Sequence, residues 1–337
     1  MKRFAVIGCG YWSSFQIAAW KELDGAELVA VYNRTRWKAE AVAEKFSVPK
    51  VYDSAEELLA NENLDFVDII TDVDTHDKFV LLAAKYGVAV ICQKPMASDY
   101  ETGKKMVTAC KKANVPLMIH DNWRWQRPIR VVDDKLKYGL IGKPFRARIT
   151  YSNSFSVFEN QPFLAELDQF IITDIGSHVL DVARFLFGEA ESIYCQTATI
   201  HQNIKGEDLA SINMKMKDGL HCNVELSYTS KVEQDRFPET FIFIEGEKGS
   251  IELGPDYWVR ITTEDGTFSQ RIAPPFYDWA DPRYSLVHAS IVDANRNFLT
   301  ALQGKGKAET TGDDNLKTLE LVYKAYQSAE KNQVIVI

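Results

Sequence analysis

The chain has 337 residues, 46% of them hydrophobic and 26% charged, with a formal net charge of -8. This composition is typical of globular proteins and excludes disordered and fibrous classes. The length exceeds what one hydrophobic core usually holds and predicts two domains. The negative charge argues against nucleic acid as a partner, because binding to phosphates requires a basic surface.

The cysteines and the amino terminus indicate a cytoplasmic protein. The 5 cysteines are scattered, odd in number and never in a C-x-x-C pair, as expected of free thiols in a reducing compartment. The apolar run at residues 4–7 is too short for a signal peptide, and no run is long enough to span a membrane. The 6 histidines show no metal-ligand spacing with one another, so we expect no metal requirement.

Short apolar runs alternate with helical patterns up to about residue 120, which predicts βαβ units and a parallel sheet. The predicted strands are residues 4–7, 28–31, 66–70, 88–91 and 116–119. A capping box at residues 54–57 predicts a helix start, and Gly87 predicts a helix end.

From about residue 145 the pattern changes to longer alternating strands joined by tight turns. Asp-Gly pairs at 218–219 and 265–266, together with a turn at 247–249, predict an antiparallel meander. Helical patterns at 286–303 and 313–331 close the chain.

The predicted fold is an α/β Rossmann domain with a doubly wound parallel sheet at residues 1–121, which binds a dinucleotide. An α+β domain with a large, mainly antiparallel open sheet follows at 122–337, for substrate binding and oligomerisation, and the late helices could pack back on the first domain. A sheet covered on one side leaves apolar residues to be buried, so we expect a homodimer or homotetramer.

The motif Gly8-Cys9-Gly10 follows the first strand and precedes a helical pattern, which favours binding of a pyrophosphate over a plain turn. Ser13 replaces the third glycine of the dinucleotide motif. After the second strand, Asn33 and Arg34 stand where NAD-binding domains have an acidic residue. Arg34 favours NADP, whereas Asn33 can still bind the free ribose hydroxyl of NAD; Arg36 could equally be a solvated charge.

Two further patterns carry the predicted chemistry. Lys94 follows a parallel strand, where α/β sheets bind ligands, and Pro95 fixes the backbone after it and could be cis. Asp174, His178 and Asp181 fall on one helical face, so a carboxylate could orient an imidazole that accepts a proton. The alternative is that Asp174 caps the helix and His178 is structural.

These motifs together resemble the Gfo/Idh/MocA oxidoreductases over nearly the whole chain. The resemblance also includes residues 71–76, 93–95, 122–124, 141–144 and 174–178, with Gln93 in place of the usual glutamate and 171–172 in place of a Gly-Gly pair. It implies a nicotinamide-dependent enzyme that oxidises a sugar or polyol hydroxyl. Residues 70–76, 119–126 and 159–163 are most similar to a subgroup that oxidises an aldose to its lactone with NAD.

The resemblance implies three groups of site residues. The catalytic residues are Lys94, Asp174 and His178. The cofactor-binding residues are Gly8, Gly10, Tyr11, Trp12, Asn33, Arg34, Thr71, Asp72, Asp74, Thr75, His76, Gln93, Lys94, Trp123 and Arg124. The substrate residues are Lys94, Asn122, Arg124, Gln161, Asp174 and His178.

In the expected reaction His178 accepts the hydroxyl proton, Lys94 polarises the oxygen and Asp174 orients His178. NAD is the expected cofactor, with NADP as the alternative. Two other functions stay open: an NAD-assisted glycosidase, which would show no net redox change, and a non-catalytic nucleotide-binding sensor. Retention of all three catalytic residues argues against the sensor.

Overall fold

The computed structural model describes residues 1–155, 157–233 and 237–337. Its strands are β1 (Lys2–Ile7), β2 (Ala26–Tyr32), β3 (Lys50–Tyr52), β4 (Phe66–Ile69), β5 (Ala89–Gln93), β6 (Leu117–His120), β7 (Pro144–Ser152), β8 (Ala190–Ala198), β9 (Leu209–Met216), β10 (His221–Ser227), β11 (Phe241–Gly246), β12 (Gly249–Gly254), β13 (Trp258–Thr263), β14 (Gly266–Arg271) and β15 (Ile335–Val336). Its helices are α1 (Tyr11–Lys21), α2 (Arg36–Phe46), α3 (Ala55–Asn61), α4 (His76–Lys85), α5 (Tyr100–Lys112), α6 (Arg127–Lys137), α7 (Val157–Asn160), α8 (Ser177–Phe187), α9 (Ser285–Leu302) and α10 (Gly312–Lys331).

The chain forms two compact units. The first comprises residues 1–122, 277–280 and 288–319, and the second comprises 123–276, 281–287 and 320–337. No helix of the described residues combines the length and the apolar character needed to cross a membrane.

The first unit contains a parallel six-stranded sheet in the order β3-β2-β1-β4-β5-β6. This order reverses direction between β1 and β4, which is the doubly wound arrangement predicted from the sequence. Ser54 accepts a hydrogen bond from the Glu57 N–H at 3.0 Å and begins α3 as predicted. Strand β3 was not predicted, because its three residues are too few to form a recognisable apolar run.

An aromatic cluster holds α1 and α9 on this sheet. Phe4 of β1 stacks on Phe66 of β4 at a centroid distance of 4.7 Å, and Trp20 of α1 packs 5.0 Å from Phe66. Phe298 of α9 meets the ring of Phe66 edge-on at 5.5 Å. Burial of these rings fixes the face of α1 that looks toward β4, and with it the side chains that α1 directs to the neighbouring strands.

The second unit contains a nine-stranded sheet in the order β14-β13-β12-β11-β7-β10-β9-β8-β15. All neighbouring strands are antiparallel except β7 and β10, which are parallel. The predicted hairpins therefore form at 218–219, 247–249 and 265–266, between β9 and β10, β11 and β12, and β13 and β14. The two closing helices lie within one residue of their predicted limits.

Helix α8 packs against β7 and β10 on one face of this sheet, where the inward side chains are apolar. The other face mixes polar and apolar side chains. Its alternate positions carry polar and charged side chains that are exposed, among them Arg146, Arg148, Asn213, Lys215 and His221. Half-buried aromatic side chains share this face with them, namely Tyr194, Phe241 and Phe243, and self-association through the face stays a prediction.

Candidate active site

Three small residues shape the turn from β1 into α1. Gly8 has a φ of +106°, and a Cβ on it would lie 2.4 Å from the Ile70 carbonyl oxygen. A Cβ on Gly10 would meet no heavy atom within 4 Å, so the space beside it is open. The fully buried Ser13 donates its hydroxyl to the Gly10 carbonyl oxygen at 2.6 Å. The turn thus keeps the close backbone approach and the open space that a pyrophosphate needs, with Ser13 fitted in place of the third glycine.

The two glycines predict opposite effects of the same substitution. Gly8→Ala should destabilise the protein by about 2 kcal/mol or more, because it adds both an unfavourable φ and a clash with backbone. Gly10→Ala should leave the melting temperature unchanged, since its φ of -84° suits alanine, but should weaken NAD binding by filling the open space. Thermal unfolding and calorimetric titration check both variants. Equal melting temperatures for the two would contradict this interpretation.

Asn33 ties the end of β2 to the glycine turn. Its Oδ1 accepts from the Cys9 N–H at 2.9 Å, and its Nδ2 donates to the Thr35 carbonyl oxygen at 3.0 Å. Arg36 begins α2 and pairs with Glu40 at 2.8 Å and with Asp53, which makes it a surface helix charge. Arg34 is exposed and forms no ion pair within the described ranges. Of the two arginines, Arg34 is therefore the one able to meet a ligand.

His76 links the segment after β4 to the turn after β5. The ring is buried, with Nδ1 3.1 Å from the Pro95 carbonyl oxygen and Nε2 3.0 Å from the Thr71 carbonyl oxygen. Burial lowers the pKa of His76, and a neutral imidazole donates through only one nitrogen at a time. Thr75 supports the same segment, since its hydroxyl lies 2.8 Å from Thr71 Oγ1. The two other predicted cofactor-binding residues of this segment, Asp72 and Asp74, are exposed.

Lys94 directly follows β5 and is half-buried, and the Lys94–Pro95 peptide bond is cis. The preceding residue, Gln93, donates its amide to Gln16 of α1. Asn122 follows β6 and is buried, where it donates to the Ser290 hydroxyl at 2.8 Å. These residues all belong to the first unit, and the predicted turn around Lys94 is formed.

Two aromatic residues that were predicted to bind the cofactor, Tyr11 and Trp12, begin α1. Their rings lie 5.4 Å apart and both meet Phe15 edge-on. Tyr11 is exposed, whereas Trp12 is partly buried. The two rings are thus placed directly beside the glycine turn.

In the second unit, the imidazole of His178 is buried and stacks on Trp123 at 4.3 Å with an interplanar angle of 19°. The indole Nε1 of Trp123 donates to Thr240 Oγ1 at 2.9 Å. Trp123 was predicted to bind the cofactor. That role stays a prediction, and the stacking on His178 restricts rotation of the imidazole.

Arg124 and Asp181 form a buried ion pair behind His178. The guanidinium donates from Nε to Oδ2 at 2.7 Å and from Nη2 to Oδ1 at 2.5 Å. Asp181 is fully buried on α8, less than one turn after His178. The pair therefore connects the Trp123–Trp125 segment to α8 and fixes the helix that carries the imidazole.

Asp174 lies in a single π-helical turn, Ile172–Gly176, which runs into α8. Gly176 is the N-cap residue of α8, so the alternative that Asp174 caps the helix is wrong. Asp174 Oδ2 accepts a hydrogen bond from the Tyr228 hydroxyl at 3.1 Å. Burial, reinforced by the Asp174 carboxylate, raises the pKa of Tyr228 well above its usual value, so the phenol stays a donor.

Glu207 and Tyr326 hold the start of this turn. Glu207 accepts from the N–H groups of Phe170 at 3.1 Å and Ile172 at 3.2 Å, and from the Tyr326 hydroxyl at 2.7 Å. The Thr173 N–H in turn donates to the Tyr326 oxygen at 3.2 Å. Sequence reasoning missed both residues, as it missed Tyr228, because they are distant in sequence and belong to no local motif.

The remaining predicted substrate residue, Gln161, is half-buried and precedes the short helical turn Pro162–Glu166. Within the described part of the chain, no group of three or more histidine, cysteine or acidic residues is arranged to hold a metal ion. Lys94 belongs to the first unit, and Asp174 and His178 belong to the second. Their joint action on one substrate stays a prediction.

A doubly wound parallel sheet with a glycine turn after its first strand is the arrangement of dinucleotide-binding domains. The family described as "Oxidoreductase family, NAD-binding Rossmann fold" matches residues 2–120, and the GFO/IDH/MocA C-terminal domain matches 129–252. The chain belongs to the Gfo/Idh/MocA family of oxidoreductases, which confirms the family, fold and cofactor predicted from the sequence.

Similar proteins cover almost the whole chain. A D-apiose dehydrogenase of Paraburkholderia graminis is 40% identical over 99% of this chain and 90% of its own length. A D-apiose dehydrogenase of Rhizobium rhizogenes is 38% identical over 98% and 96%. The crystal structure of an oxidoreductase from Agrobacterium radiobacter, in complex with NAD+, L-tartaric acid and magnesium, matches with a TM-score of 0.98 and 37% identity over 99% and 98%.

Proposed function

We propose that this oxidoreductase is a D-apiose dehydrogenase, which oxidises the anomeric hydroxyl of that branched aldose to a lactone with NAD. The observation that carries the proposal is the likeness to two D-apiose dehydrogenases at 38% and 40% identity over nearly the full chain. An initial screen of aldoses and polyols with NAD and NADP, followed at the nicotinamide absorbance, tests it. We expect D-apiose with NAD to give the highest kcat/KM, and a clear preference for a polyol would contradict the proposal.

In the proposed mechanism, the bound nicotinamide supplies the acceptor for the hydride that leaves the sugar carbon. His178 accepts the hydroxyl proton, and its stacking on Trp123 restricts rotation of the ring. Lys94 donates to the same oxygen and polarises it. Asp174 orients the imidazole, while the hydrogen bond from Tyr228 holds Asp174 in place.

The proposed NAD site uses the first unit's own residues. The first N–H groups of α1 follow directly after Gly10, beside which the space is open, and this arrangement suits a pyrophosphate. Asn33 supports a free ribose hydroxyl, because each of its amide atoms can make one hydrogen bond besides those to Cys9 and Thr35. We assign Tyr11, Trp12 and the segment from Thr71 to His76 to the same site, because they follow β1 and β4 at the carboxyl edge of the sheet.

Arg34→Ala separates NAD from NADP use. If Arg34 stacks beside adenine without needing a phosphate, the substitution should lower kcat/KM for both cofactors modestly, which is the outcome we expect. If it pairs with a 2′-phosphate, the loss should fall on NADP alone, by about 1.5–3 kcal/mol. Arg36→Ala is the matched control, because that arginine is already paired. A wild-type preference for NADP that Arg34→Ala abolishes would contradict the NAD assignment.

We further propose that the protein is a cytoplasmic homodimer or homotetramer that associates through the exposed face of the nine-stranded sheet. The half-buried aromatic side chains of this face favour its burial, and the charged side chains around them favour a salt-sensitive contact. Light scattering at micromolar concentration should give a multiple of the 38.3 kDa chain mass. A monomeric mass would refute the proposal, and a mass unchanged by charge reversal at Arg148 would place the contact elsewhere.

A further inference from the structure

A buried carboxylate stands in the middle of β4, where a parallel strand is otherwise apolar. Asp68 is fully buried and is contacted by two residues one turn apart on α1. The Gln16 amide nitrogen lies 2.8 and 2.9 Å from its two oxygens, and the Trp20 indole nitrogen lies 2.8 Å from Oδ2. The Gln16 oxygen in turn accepts from the Gln93 amide. We call Asp68, Gln16 and Gln93 the Asp68 relay.

The relay has a direction that the chemistry of its first member dictates. An ionised carboxylate only accepts hydrogen bonds, so Gln16 must turn its NH2 group toward Asp68 and its oxygen toward Gln93. Gln93 must then turn its own NH2 group toward Gln16. This leaves the Gln93 Oε1 as the outermost group of the relay, and it makes no hydrogen bond within the described ranges.

Gln93 is half-buried at the carboxyl end of β5 and directly precedes Lys94. On the proposed function, the nicotinamide ring lies within reach of Lys94, and its carboxamide offers an N–H donor. We infer that the Asp68 relay positions the Gln93 carbonyl oxygen to accept a hydrogen bond from the carboxamide NH2 of the bound nicotinamide. Asp68, Gln16 and Gln93 are thus positioning residues that favour a carboxamide over any group that cannot donate. This inference rests on the proposed NAD site.

The test compares NAD with 3-acetylpyridine adenine dinucleotide, whose methyl ketone accepts but cannot donate. Wild-type protein should bind the analogue roughly 3- to 10-fold more weakly than NAD, which is the range for one neutral hydrogen bond. The readout is the ratio of the two Kd values from calorimetry, without turnover. Burial raises the pKa of Asp68 to about 7, so titrations at about pH 8.5 keep it ionised.

Asp68→Asn reverses the relay. The new amide NH2 group meets Gln16, which turns its oxygen inward and its NH2 group toward Gln93, so that Gln93 presents NH2 to the ligand. The analogue should then bind roughly 3- to 10-fold more tightly than it binds the wild type. NAD affinity should hold, because its carboxamide can rotate to meet either group. A gain of binding cannot come from misfolding.

Trp20→Phe is the matched control, since it removes a donor to the same carboxylate oxygen without reversing the relay. It should keep the wild-type Kd ratio. An Asp68→Asn variant that keeps the wild-type ratio, or a Trp20→Phe variant that loses it equally, would overturn the inference. If the wild type binds both dinucleotides equally well, the inference fails but the proposed NAD site stands. If the wild type binds neither dinucleotide, both the inference and the proposed NAD site fail.

Discussion

Replacing His178 or Lys94 by alanine should lower kcat by about 10²- to 10⁴-fold, the usual contribution of a positioned acid or base. NAD affinity should change little, because neither side chain forms the glycine turn. For His178 we expect a large loss because the imidazole is held in place. It stacks on Trp123, and its helix is anchored by the ion pair between Arg124 and Asp181. Steady-state kinetics with D-apiose and NAD measure kcat, and calorimetry measures the NAD Kd.

His221→Ala is the matched control for His178→Ala, because His221 is an exposed histidine of the same unit, on β10. It should keep wild-type kcat. Asp174→Asn should lose less than either catalytic variant, since the amide keeps the shape of the carboxyl and can still accept from Tyr228. Near-normal turnover of His178→Ala or Lys94→Ala would show that the residue is not catalytic.

Removing the Asp181 carboxylate should cost about 3–5 kcal/mol of unfolding free energy, because that carboxylate accepts two hydrogen bonds from the buried Arg124 guanidinium. The side chains of Arg124 and Asp181 are only 6% and 0% exposed. Denaturant unfolding of Asp181→Ala measures the loss. We also expect lower kcat, since the pair anchors the helix that carries His178.

Glu245→Ala is the matched control for the burial of that pair. Glu245 also holds an arginine through two hydrogen bonds, one of them at 2.7 Å from Arg146 Nη2, but the Arg146 side chain is 57% exposed. Water replaces the lost partner there, so the unfolding free energy should fall far less. Equal losses for the two variants would mean that burial does not determine the strength of the Arg124 pair.

Much of the fold follows from local patterns. The alternation of apolar runs with helices predicted the parallel sheet, and the Asp-Gly turns predicted the hairpins, because each of these signals spans only a few neighbouring residues. The short strand β3 carries no such signal. The composition of the open sheet face was not predictable in detail, because the count of strands indicates a face to be covered but not which residues point there.

The site was only partly predictable. Local motifs single out Gly8, Lys94, Asp174 and His178 as candidates, since each requirement is local: a positive φ, a strand end or a helical face. Tyr228, Glu207 and Tyr326 are distant in sequence. Only the folded chain brings Tyr228 to Asp174 and the other two to the residues just before it. Asp68 did carry a signal, a lone acid within an apolar strand, whose meaning depended on Gln16 and Gln93.

The proposed D-apiose dehydrogenase activity is tested by the products of one reaction, in which purified protein is mixed with D-apiose and NAD. We expect one NADH to form for each sugar consumed, with the lactone as the carbon product detected by NMR. Sugar consumption without net NADH would indicate redox-neutral chemistry such as glycoside cleavage. Tight NAD binding with no turnover of D-apiose would likewise contradict the proposed dehydrogenase activity.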